Sequence, residues 1–324
     1  MGALVRKLLL QLDSSRLPSV FDRVVAYDAG ADEVLSYGGV TAADVPDLVR
    51  GAIFTRGPQD LRNSAVFIGG SDVGAGEELL AAAQSALFGP FRVSMMLDSN
   101  GSNTTAVATV ARILQTLGDV RGRRAVVLAG TGPVGRRVAG LLIRGGAEVV
   151  ITSRRKDEGA KARDAIAARF GRAPMVRELS DPARAADAID GAEIVVAAGP
   201  AGVLLVPRSA WTGREGLAVV IDLNAVPPLG IEGVEAGDNA TRKDDVVAFG
   251  ALGVGSLKMK LHKAAIARLF ERNDLVLDVD AIAEVARELT TRRDAAAAAA
   301  APDLPQPSAA PITPSAREAE AHQR

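Results

Sequence analysis

One segment, AVVLAGTGPVG from Ala125 to Gly135, narrows most what this chain can fold into. An apolar run of strand length leads into Gly130-x-Gly132-x-x-Gly135, and a helical pattern follows. In such a strand–turn–helix unit the first glycine permits the tight turn. The second lets a pyrophosphate approach the backbone, and the third lets the helix pack closely on the strand. Free N–H groups at the helix start then bind the phosphates. The segment predicts a Rossmann-like domain that binds a dinucleotide.

The second strand of this unit, Glu148–Ser153, ends where the adenosine ribose is expected. An acidic residue there would favour NAD, because a carboxylate accepts hydrogen bonds from the ribose hydroxyls and repels a 2′-phosphate. Here Ser153 is followed by Arg154 and Arg155, which offer a hydroxyl and two guanidinium groups suited to phosphate oxygens. A solvated basic turn is the plainer alternative. We predict that these residues select NADP.

Apolar runs of strand length alternate with helical patterns along the chain, which is typical of an α/β protein with parallel sheets. We expect strands near 7–12, 33–37, 64–69, 92–97, 125–129, 147–152, 193–198 and 218–223. The polar segment Gly118–Arg124 separates two series of these elements. The prediction is therefore two α/β domains that face each other across a cleft.

The domain boundaries follow from this division. We predict a substrate-binding domain at 1–118 and a Rossmann-like, NADP-binding domain at 119–256. Helical patterns at 257–272 and 279–290 could pack on either domain, and we assign 257–290 to the first. The stretch 293–324 is rich in Ala and Pro and lacks large apolar side chains, which predicts a disordered tail.

Composition limits the chemistry. The 324 residues carry a formal net charge of −1, so there is no electrostatic case for nucleic acid or an anionic membrane. No apolar run approaches the roughly 18 residues of a membrane span. Cysteine is absent and histidine occurs twice, so neither a disulfide framework nor a His-rich metal centre is expected, and the cytoplasm is the expected compartment. Neither Tyr27 nor Tyr37 has a lysine four residues later, so a Tyr-x-x-x-Lys catalytic pair is missing.

The segment Asp98–Thr105 holds seven small polar residues between a predicted strand and a helix. A helix N-cap needs one such residue, which leaves the others as a surface of short donors and acceptors for a flat heterocycle. Phe21 and Asp22 follow the first strand, where Phe21 either joins the core or stacks on an aromatic ring. Lys258 is either a solvated helix residue or a group beside the substrate.

Two later segments point to the nicotinamide half of a dinucleotide site. Ile221–Gly230 follows a predicted strand, and Phe249–Gly255 precedes a predicted helix. Both place glycine and polar groups at strand ends, where ligands of open α/β sheets bind. An ordinary structural turn is the alternative for each.

Several segments together resemble one enzyme family: PSVFDRVVAYDAGAD, AVFIGGSD, FGPFRVSMMLDSNGSNTT, VVLAGTGPVG, NAVPPLGI and FGALGVGSLKMKLHKA. Over residues 7–290 the chain is similar to the NADP-dependent methylene-tetrahydromethanopterin dehydrogenases of methylotrophic bacteria. A related branch also uses NAD, but the DSNGSNTT and GTGPVG loops look more like the NADP-dependent branch. The resemblance implies oxidation of a methylene-pterin to the methenyl cation, with NADP⁺ taking the hydride. It also implies activity on methylene-tetrahydrofolate and a homo-oligomer, a trimer or a hexamer.

The resemblance also implies a set of site residues. The cofactor-binding candidates are Gly130, Thr131, Gly132, Pro133, Val134, Gly135, Ser153, Arg154, Arg155, Ala198, Asn224, Gly250 and Leu252. The pterin-side candidates are Phe21, Asp22, Asp98, Ser99, Asn100, Gly101, Ser102, Asn103, Thr104 and Lys258, with Lys258 the candidate catalytic residue.

The scarcity of His and Tyr fits this chemistry. A carbon between two nitrogens loses hydride readily because both nitrogens share the positive charge, so no base has to remove a proton. The protein then has to hold donor and acceptor carbons within about 3–3.5 Å. Folate dehydrogenase–cyclohydrolases use a Tyr-x-x-x-Lys pair for hydrolysis, so we expect a dehydrogenase only. Two alternatives stay open: a methylene-tetrahydrofolate dehydrogenase of folate metabolism, and a non-catalytic NADP-binding sensor.

Overall fold

The computed structural model describes residues 5–300, with side chains as far as Thr291. Five strands form the first sheet within these residues: β1 (Leu8–Asp13), β2 (Glu33–Gly38), β3 (Ser64–Gly69), β4 (Ser94–Leu97) and β12 (Val276–Leu277). Their order is β12–β4–β3–β1–β2, and all neighbours are parallel.

Helices cover both faces of this sheet: α1 (Val20–Asp28), α2 (Val45–Ile53), α3 (Val73–Ser85) and α4 (Ser102–Leu117). Side chains alternate along a strand, so the two faces have separate cores. Leu10 and Ile68 pack with α2 and α3, whereas Leu9 and Phe67 pack with α1 and α4. Burial on both faces explains why these strands are nearly continuous apolar runs.

Seven strands form the second sheet in the described residues: β5 (Arg124–Leu128), β6 (Glu148–Ser153), β7 (Met175–Glu178), β8 (Ile194–Ala197), β9 (Val219–Asp222), β10 (Asn239–Lys243) and β11 (Val246–Phe249). Their order is β10–β11–β9–β8–β5–β6–β7. All pairs are parallel except β10 with β11, which is an antiparallel edge hairpin. Without β10 the order is that of a dinucleotide-binding fold.

The remaining helices are α5 (Pro133–Arg144), α6 (Lys156–Phe170), α7 (Ala185–Ala188), α8 (Ala251–Arg268) and α9 (Val279–Ala300). Short 3-10 turns lie at Asp60–Asn63, Ser99–Gly101, Pro182–Arg184 and Arg208–Ala210. Helix α4 packs against α5 and α8. One hydrophobic cluster joins both sheets through these helices and includes Met96, Val107, Val127, Leu142 and Leu261. The described residues 5–289 form one compact unit.

The expected α/β class with parallel sheets is confirmed, and each expected strand exists. Strands β7, β10, β11 and β12 were not predicted, and the antiparallel β10 departs from an all-parallel sheet. The predicted helix at 257 was too short, because α8 begins at Ala251. The first turn of α8 is hydrogen-bonded to the loop before β10, because the Leu252 N–H donates to the Ala236 carbonyl at 2.8 Å.

The division at residue 118 into two domains stays a prediction. Strand β12 pairs with β4 of the first sheet, as expected if 257–290 completes that half, while α8 also contacts β10 of the second. Helix α9 continues to Ala300, past Arg293, where the sequence predicted a disordered tail to begin. The rest of that predicted tail, residues 301–324, lies outside the described residues.

Candidate functional site

Each sheet has one point at which the strand order reverses. In the first sheet this point lies between β1, which ends at Asp13, and β3, which ends at Gly69. In the second sheet it lies between β5, which ends at Leu128, and β8, which ends at Ala197. Ligands of open α/β sheets bind outside the carboxyl ends of the strands at such points. The topology thus defines two candidate binding positions.

The glycine loop occupies the second position. A Cβ on Gly130 would lie 2.8 Å from the Ile151 Cβ, and one on Gly135 would lie 2.8 Å from the Gly130 Cα. Both contacts are too close for any side chain, so these glycines let strand, turn and helix pack together. A Cβ on Gly132 would meet no described atom within 4 Å, and its backbone faces open space at the N-cap of α5. The loop therefore has the tight base and open front that a pyrophosphate requires.

Thr152 anchors this loop and was missed by the sequence reasoning. Its Oγ1 accepts the Ala129 N–H at 3.0 Å, and its carbonyl accepts the Gly130 N–H at 3.0 Å. Ala129 has a positive φ of 52°, a conformation that a non-glycine residue rarely adopts. The sequence signal for Thr152 was a hydroxyl side chain near the end of β6, the strand that follows the glycine loop and its helix.

The two arginines after β6 have different surroundings. The Arg155 guanidinium binds Asp157, with its Nη2 at 2.6 Å from Oδ2 and its Nε at 3.2 Å from Oδ1. Arg154 is exposed and has no ion pair among the residues the structure describes. The Ser153 hydroxyl donates to the Arg155 carbonyl at 2.8 Å and so shapes the turn. Because Arg155 is paired with Asp157, Arg154 is the arginine of the two that is placed to bind an anionic group of a ligand.

The other four cofactor-binding candidates, Ala198, Asn224, Gly250 and Leu252, lie in different settings. The Ala198 N–H donates to the Leu128 carbonyl at 3.1 Å, which puts Ala198 beside the glycine loop. The Asn224 side chain bonds within its own loop, where Nδ2 donates to the Pro228 carbonyl at 3.1 Å. Gly250 is a packing position, because a Cβ there would lie 1.9 Å from a backbone oxygen of the preceding segment. Leu252 leaves 65% of its surface exposed.

A cleft of about 390 Å³ opens at the reversal point of the first sheet. Its lining comes from the ends of β1 and β3, from α1, from the β4–α4 loop and from α8. The lining residues are Asp13, Ser15, Leu17, Ser19, Phe21, Asp22, Gly70, Ser71, Asn100, Gly101 and Lys258. Five predicted site residues, distant in sequence, are therefore brought together.

Lys258 is held between two of these partners. Its Nζ lies 5.1 Å from the centroid of the Phe21 ring. A Cβ on Gly101 would lie 3.2 Å from both Cε and Nζ of Lys258, and Gly101 has a φ of 57°. The contact with the ring face is a cation–π interaction, and the glycine leaves room for the lysine stem. The ammonium group is thereby fixed at the cleft.

Much of the Asp98–Thr104 loop is turned inward, contrary to the expectation that the whole loop forms a ligand surface. Asp98 accepts the Asn103 N–H at 2.9 Å, the Thr104 N–H at 3.0 Å and the Thr104 hydroxyl at 2.6 Å. Burial raises the pKa of Asp98, while Lys258 and these hydrogen bonds oppose the rise. This carboxyl group caps α4 from inside the protein.

The side chains of Ser99, Ser102 and Asn103 also form hydrogen bonds inside the protein. The Ser99 hydroxyl donates to the Gly69 carbonyl, and the Ser102 hydroxyl donates to the Ser99 carbonyl, both at 2.8 Å. The Asn103 Nδ2 donates to the Leu97 carbonyl at 2.5 Å. The side chains of Asp98, Ser99, Ser102, Asn103 and Thr104 are thus buried loop supports, and only Asn100 and Gly101 of this predicted set line the cleft.

Asp22 is a carboxyl group that lines the cleft and whose pKa is raised. Ser19 caps α1 by accepting the Asp22 N–H at 3.2 Å, which fixes Asp22 in the first helical turn. Burial raises the pKa of Asp22 to about 6; Asp98 and Asp13 also raise it, and Ser19 and Lys258 lower it. Asp22 is therefore poised to change charge with a small change in its surroundings.

His262 adjoins Asp22 and was not among the predicted site residues. Its Nε2 lies 4.0 Å from the Asp22 Oδ1, and its ring stacks on Phe67 with centroids 5.5 Å apart. The imidazole is 0% exposed, and burial, aided by Lys258, lowers its pKa to about 3. Position 262 is one helical turn after Lys258, which was the sequence signal that linked it to the site.

Two kinds of site are absent from the described residues: a membrane-spanning helix and a metal-binding cluster. None of their helices combines the length and the apolar character needed to cross a membrane. No three of their His, Asp or Glu side chains are grouped so that they could hold a metal ion.

Solved structures of similar fold have low sequence identity to this chain. Shikimate 5-dehydrogenase from Listeria monocytogenes superposes with a TM-score of 0.51 at 15% identity, over 86% of this chain and 96% of that chain. Ornithine carbamoyltransferase from Pyrococcus furiosus gives 0.54 at 14% identity, over 82% and 84%. At such identities the likeness concerns the fold alone.

Sequence relatives are much closer. A family model described as methylene-tetrahydromethanopterin dehydrogenase, N-terminal, matches residues 20–100. Bifunctional protein MdtA of Methylorubrum extorquens is 48% identical over 285 residues, which cover 88% of this chain and 99% of that protein. The NAD(P)-dependent methylenetetrahydromethanopterin dehydrogenase of the same organism is 31% identical over 85% of this chain and 96% of its own length. Matches of this identity and extent establish that the chain belongs to the methylene-tetrahydromethanopterin dehydrogenase family.

Proposed function

We propose that this protein is an NADP-dependent methylene-tetrahydromethanopterin dehydrogenase that oxidises the methylene bridge of the reduced pterin to the methenyl cation. The observation that carries the proposal is the pair of sites at the two reversal points. An open glycine loop lies at one, and a cleft lined by Phe21, Asp22 and Lys258 lies at the other. A relative of 31% identity is named for the same reaction.

The residues present fit a bound dinucleotide. The backbone at Gly132 is open, and the N-terminal turn of α5 follows it directly. When bound there, NADP⁺ supplies the hydride acceptor of the reaction. The exposed guanidinium of Arg154 supports a preference for the 2′-phosphate form over NAD.

The chain's own contribution on the pterin side is to bind and orient. Phe21 offers an aromatic face that is 49% exposed, and Lys258 and Asp22 place one cation and one carboxyl group beside it. A carboxylate near the one-carbon unit favours the developing cation because opposite charges attract strongly in a site that excludes water. The reaction releases no hydroxyl proton, so these residues need not act as a base. We propose a dehydrogenase without cyclohydrolase activity.

We further propose a cytoplasmic homo-oligomer, a trimer or a hexamer. One face of α1 carries the exposed apolar residues Val20, Val24 and Tyr27 at helical spacing. An apolar surface of this kind supports association with other copies. Light scattering after gel filtration tests it: Val24→Asp should lower the particle mass, and a monomeric parent protein would contradict the proposal.

The experiment that tests the function measures reduced nicotinamide by absorbance. The purified protein is mixed with NADP⁺ or NAD⁺ and with methylene-tetrahydromethanopterin or methylene-tetrahydrofolate. We expect turnover with NADP⁺ and both carriers, with the ratio of kcat/KM identifying the preferred one. A preference for the folate carrier would favour a folate-pathway dehydrogenase. Binding of NADP⁺ without turnover in any mixture would favour a sensor and contradict the proposal.

A further inference from the structure

His262 is an enclosed polar side chain whose hydrogen-bonding capacity is unused. Neither Nδ1 nor Nε2 has a hydrogen-bond partner among the described residues, although the ring is fully buried. Leaving a buried donor or acceptor unpaired is destabilising, and an apolar residue of similar shape would avoid that cost. Phe67 and Phe21, with ring centroids 5.5 and 6.2 Å away, would accommodate such a residue.

The geometry gives His262 one possible partner at the cleft. The Nε2 atom points to within 4.0 Å of the Asp22 Oδ1, which is about 1 Å beyond a hydrogen bond. Stacking on Phe67 restrains the imidazole ring, whereas the Asp22 side chain is 15% exposed and lines the cleft. A rotation of Asp22 that brings its Oδ1 about 1 Å closer would complete a hydrogen bond.

The charges around Asp22 and His262 determine the protonation state of the imidazole. Asp22 faces Asp98, Asp13 and Lys258, while His262 faces Lys258. The nearby ammonium group and the buried position both oppose a second positive charge, so His262 is a neutral imidazole. A neutral imidazole can still donate one N–H, and the tautomer that carries it on Nε2 directs it at Asp22.

A ligand bound in the cleft would favour the rotation of Asp22 toward His262. A pterin that covers Asp22 removes water from its exposed edge, and a carboxylate without water needs donors from the protein. We propose that His262 is a positioning residue: when the cleft is occupied, its Nε2–H hydrogen-bonds to Asp22 and holds that carboxylate ionised beside the one-carbon unit. The inference rests on the proposed function and deepens it, since it explains how one carboxylate keeps its charge at the reacting centre.

Single-turnover rates across pH test the inference, because they report the occupied site, while kcat/KM for the pterin reports the free enzyme. His262→Phe keeps the ring stack and loses the donor. It should move the acid limb of the single-turnover profile upward by about one pH unit, the scale of one hydrogen bond to a charged group. The kcat/KM limb should hardly move. His262→Gln, which retains a donor, should restore the single-turnover limb. Coincident profiles for His262→Phe and the parent protein would overturn the inference.

Two further measurements keep the result unambiguous. In an Asp22→Asn background, His262→Phe should have no additional effect on the profile; a further shift would mean that His262 acts elsewhere. The chain has two histidines, so His322→Gln leaves His262 as the single imidazole for nitrogen NMR. With pterin bound, the proton should be on Nε2, and a proton on Nδ1 would refute the proposal. Absence of NADP⁺ reduction by the parent protein would instead refute the proposed function.

Discussion

Arg137, on the helix that follows the glycine loop, donates from Nε to the Oδ1 of Asn103, in the loop behind the cleft, at 2.5 Å. The same guanidinium donates to the Pro133 carbonyl at 3.2 Å and to Glu77 at 3.0 Å. Arg137 is 5% exposed, so a buried cation joins the cofactor loop to the loop that Asp98 organises. The Arg137 side chain therefore connects the loop behind the cleft to Pro133 of the glycine loop.

Replacing Arg137 should lower the stability of the protein and remove its hydrogen bonds to Asn103 and Pro133. Arg137→Met leaves the Asn103 oxygen and Glu77 without their donor, and we expect a loss of about 2–3 kcal/mol in the free energy of unfolding. Chemical denaturation measures it, with Arg163→Met as the control that removes an exposed pair with Asp164. Equal losses in the two variants would show that the Arg137 contacts contribute no more than a surface ion pair.

Substitutions at two glycines of the phosphate loop, Gly132 and Gly135, should have different effects on NADP⁺ binding and on stability. Gly132→Ala has space for its methyl group and a φ of −74° that alanine adopts, so we expect unchanged unfolding but much weaker NADP⁺ binding. Gly135→Ala forces its Cβ against Gly130 and should cost about 1–3 kcal/mol of stability. Thermal unfolding and titration with NADP⁺ measure the two effects. Normal NADP⁺ affinity in Gly132→Ala would remove this loop from the cofactor site.

The two arginines after β6 should contribute unequally to cofactor choice. Arg154→Ala should reduce kcat/KM for NADP⁺ about 10–100-fold, as expected when a charged contact to phosphate is lost, and leave NAD⁺ nearly unchanged. Arg155→Ala should have a smaller effect, because Arg155 already binds Asp157 and Glu158. Steady-state kinetics with both cofactors distinguish the variants. The reverse order of effects would assign the 2′-phosphate to Arg155.

The glycine loop could be predicted from the sequence because its function depends on neighbouring residues within a single turn. Lys258 and Phe21 were also predicted as site residues, but their contact with each other depends on the tertiary fold. His262 was not selected, although it lies one helical turn after Lys258, because the sequence does not show that this part of α8 lies against Asp22. The Asp98–Thr104 loop was misjudged in part, since a dense run of hydroxyls looks the same whether it binds a ligand or caps its own helix. Strand β12 has two residues, too few for an apolar period to be visible.

Lys258 should matter for the pterin and not for the cofactor. Lys258→Ala removes the cation beside Phe21 and Gly101, and we expect kcat/KM for the pterin to fall by about tenfold or more, as for one charged contact. The affinity for NADP⁺ should not change. Lys260→Ala, on the same helix and exposed, is the matched control. Equal kinetics in the two variants would exclude Lys258 from the site.

The last prediction concerns the pH dependence of stability, where Asp22 and His262 act with opposite sign. The pKa of Asp22 rises from 3.8 unfolded to about 6 folded, so its contribution is present below pH 3.8 and is lost as pH rises through 6. The pKa of His262 falls from 6.5 to about 3, so its contribution is present above pH 6.5 and is lost as pH falls toward 3. Between pH 3.8 and 6 the two slopes, each about 1.4 kcal/mol per pH unit at most, offset one another.

Removing either Asp22 or His262 should leave only the other residue's contribution to the slope of the free energy of unfolding against pH. Asp22→Asn should make the free energy of unfolding rise with pH across this window, relative to the parent protein at each pH. His262→Phe should make it fall with pH, because only the protonation of Asp22 remains. Denaturant titrations at a series of pH values give both slopes, and the comparison with the parent at the same pH cancels every other group. Parallel curves for all three proteins would mean that the two side chains titrate in the folded protein as they do in the unfolded chain, and that the cleft does not perturb them.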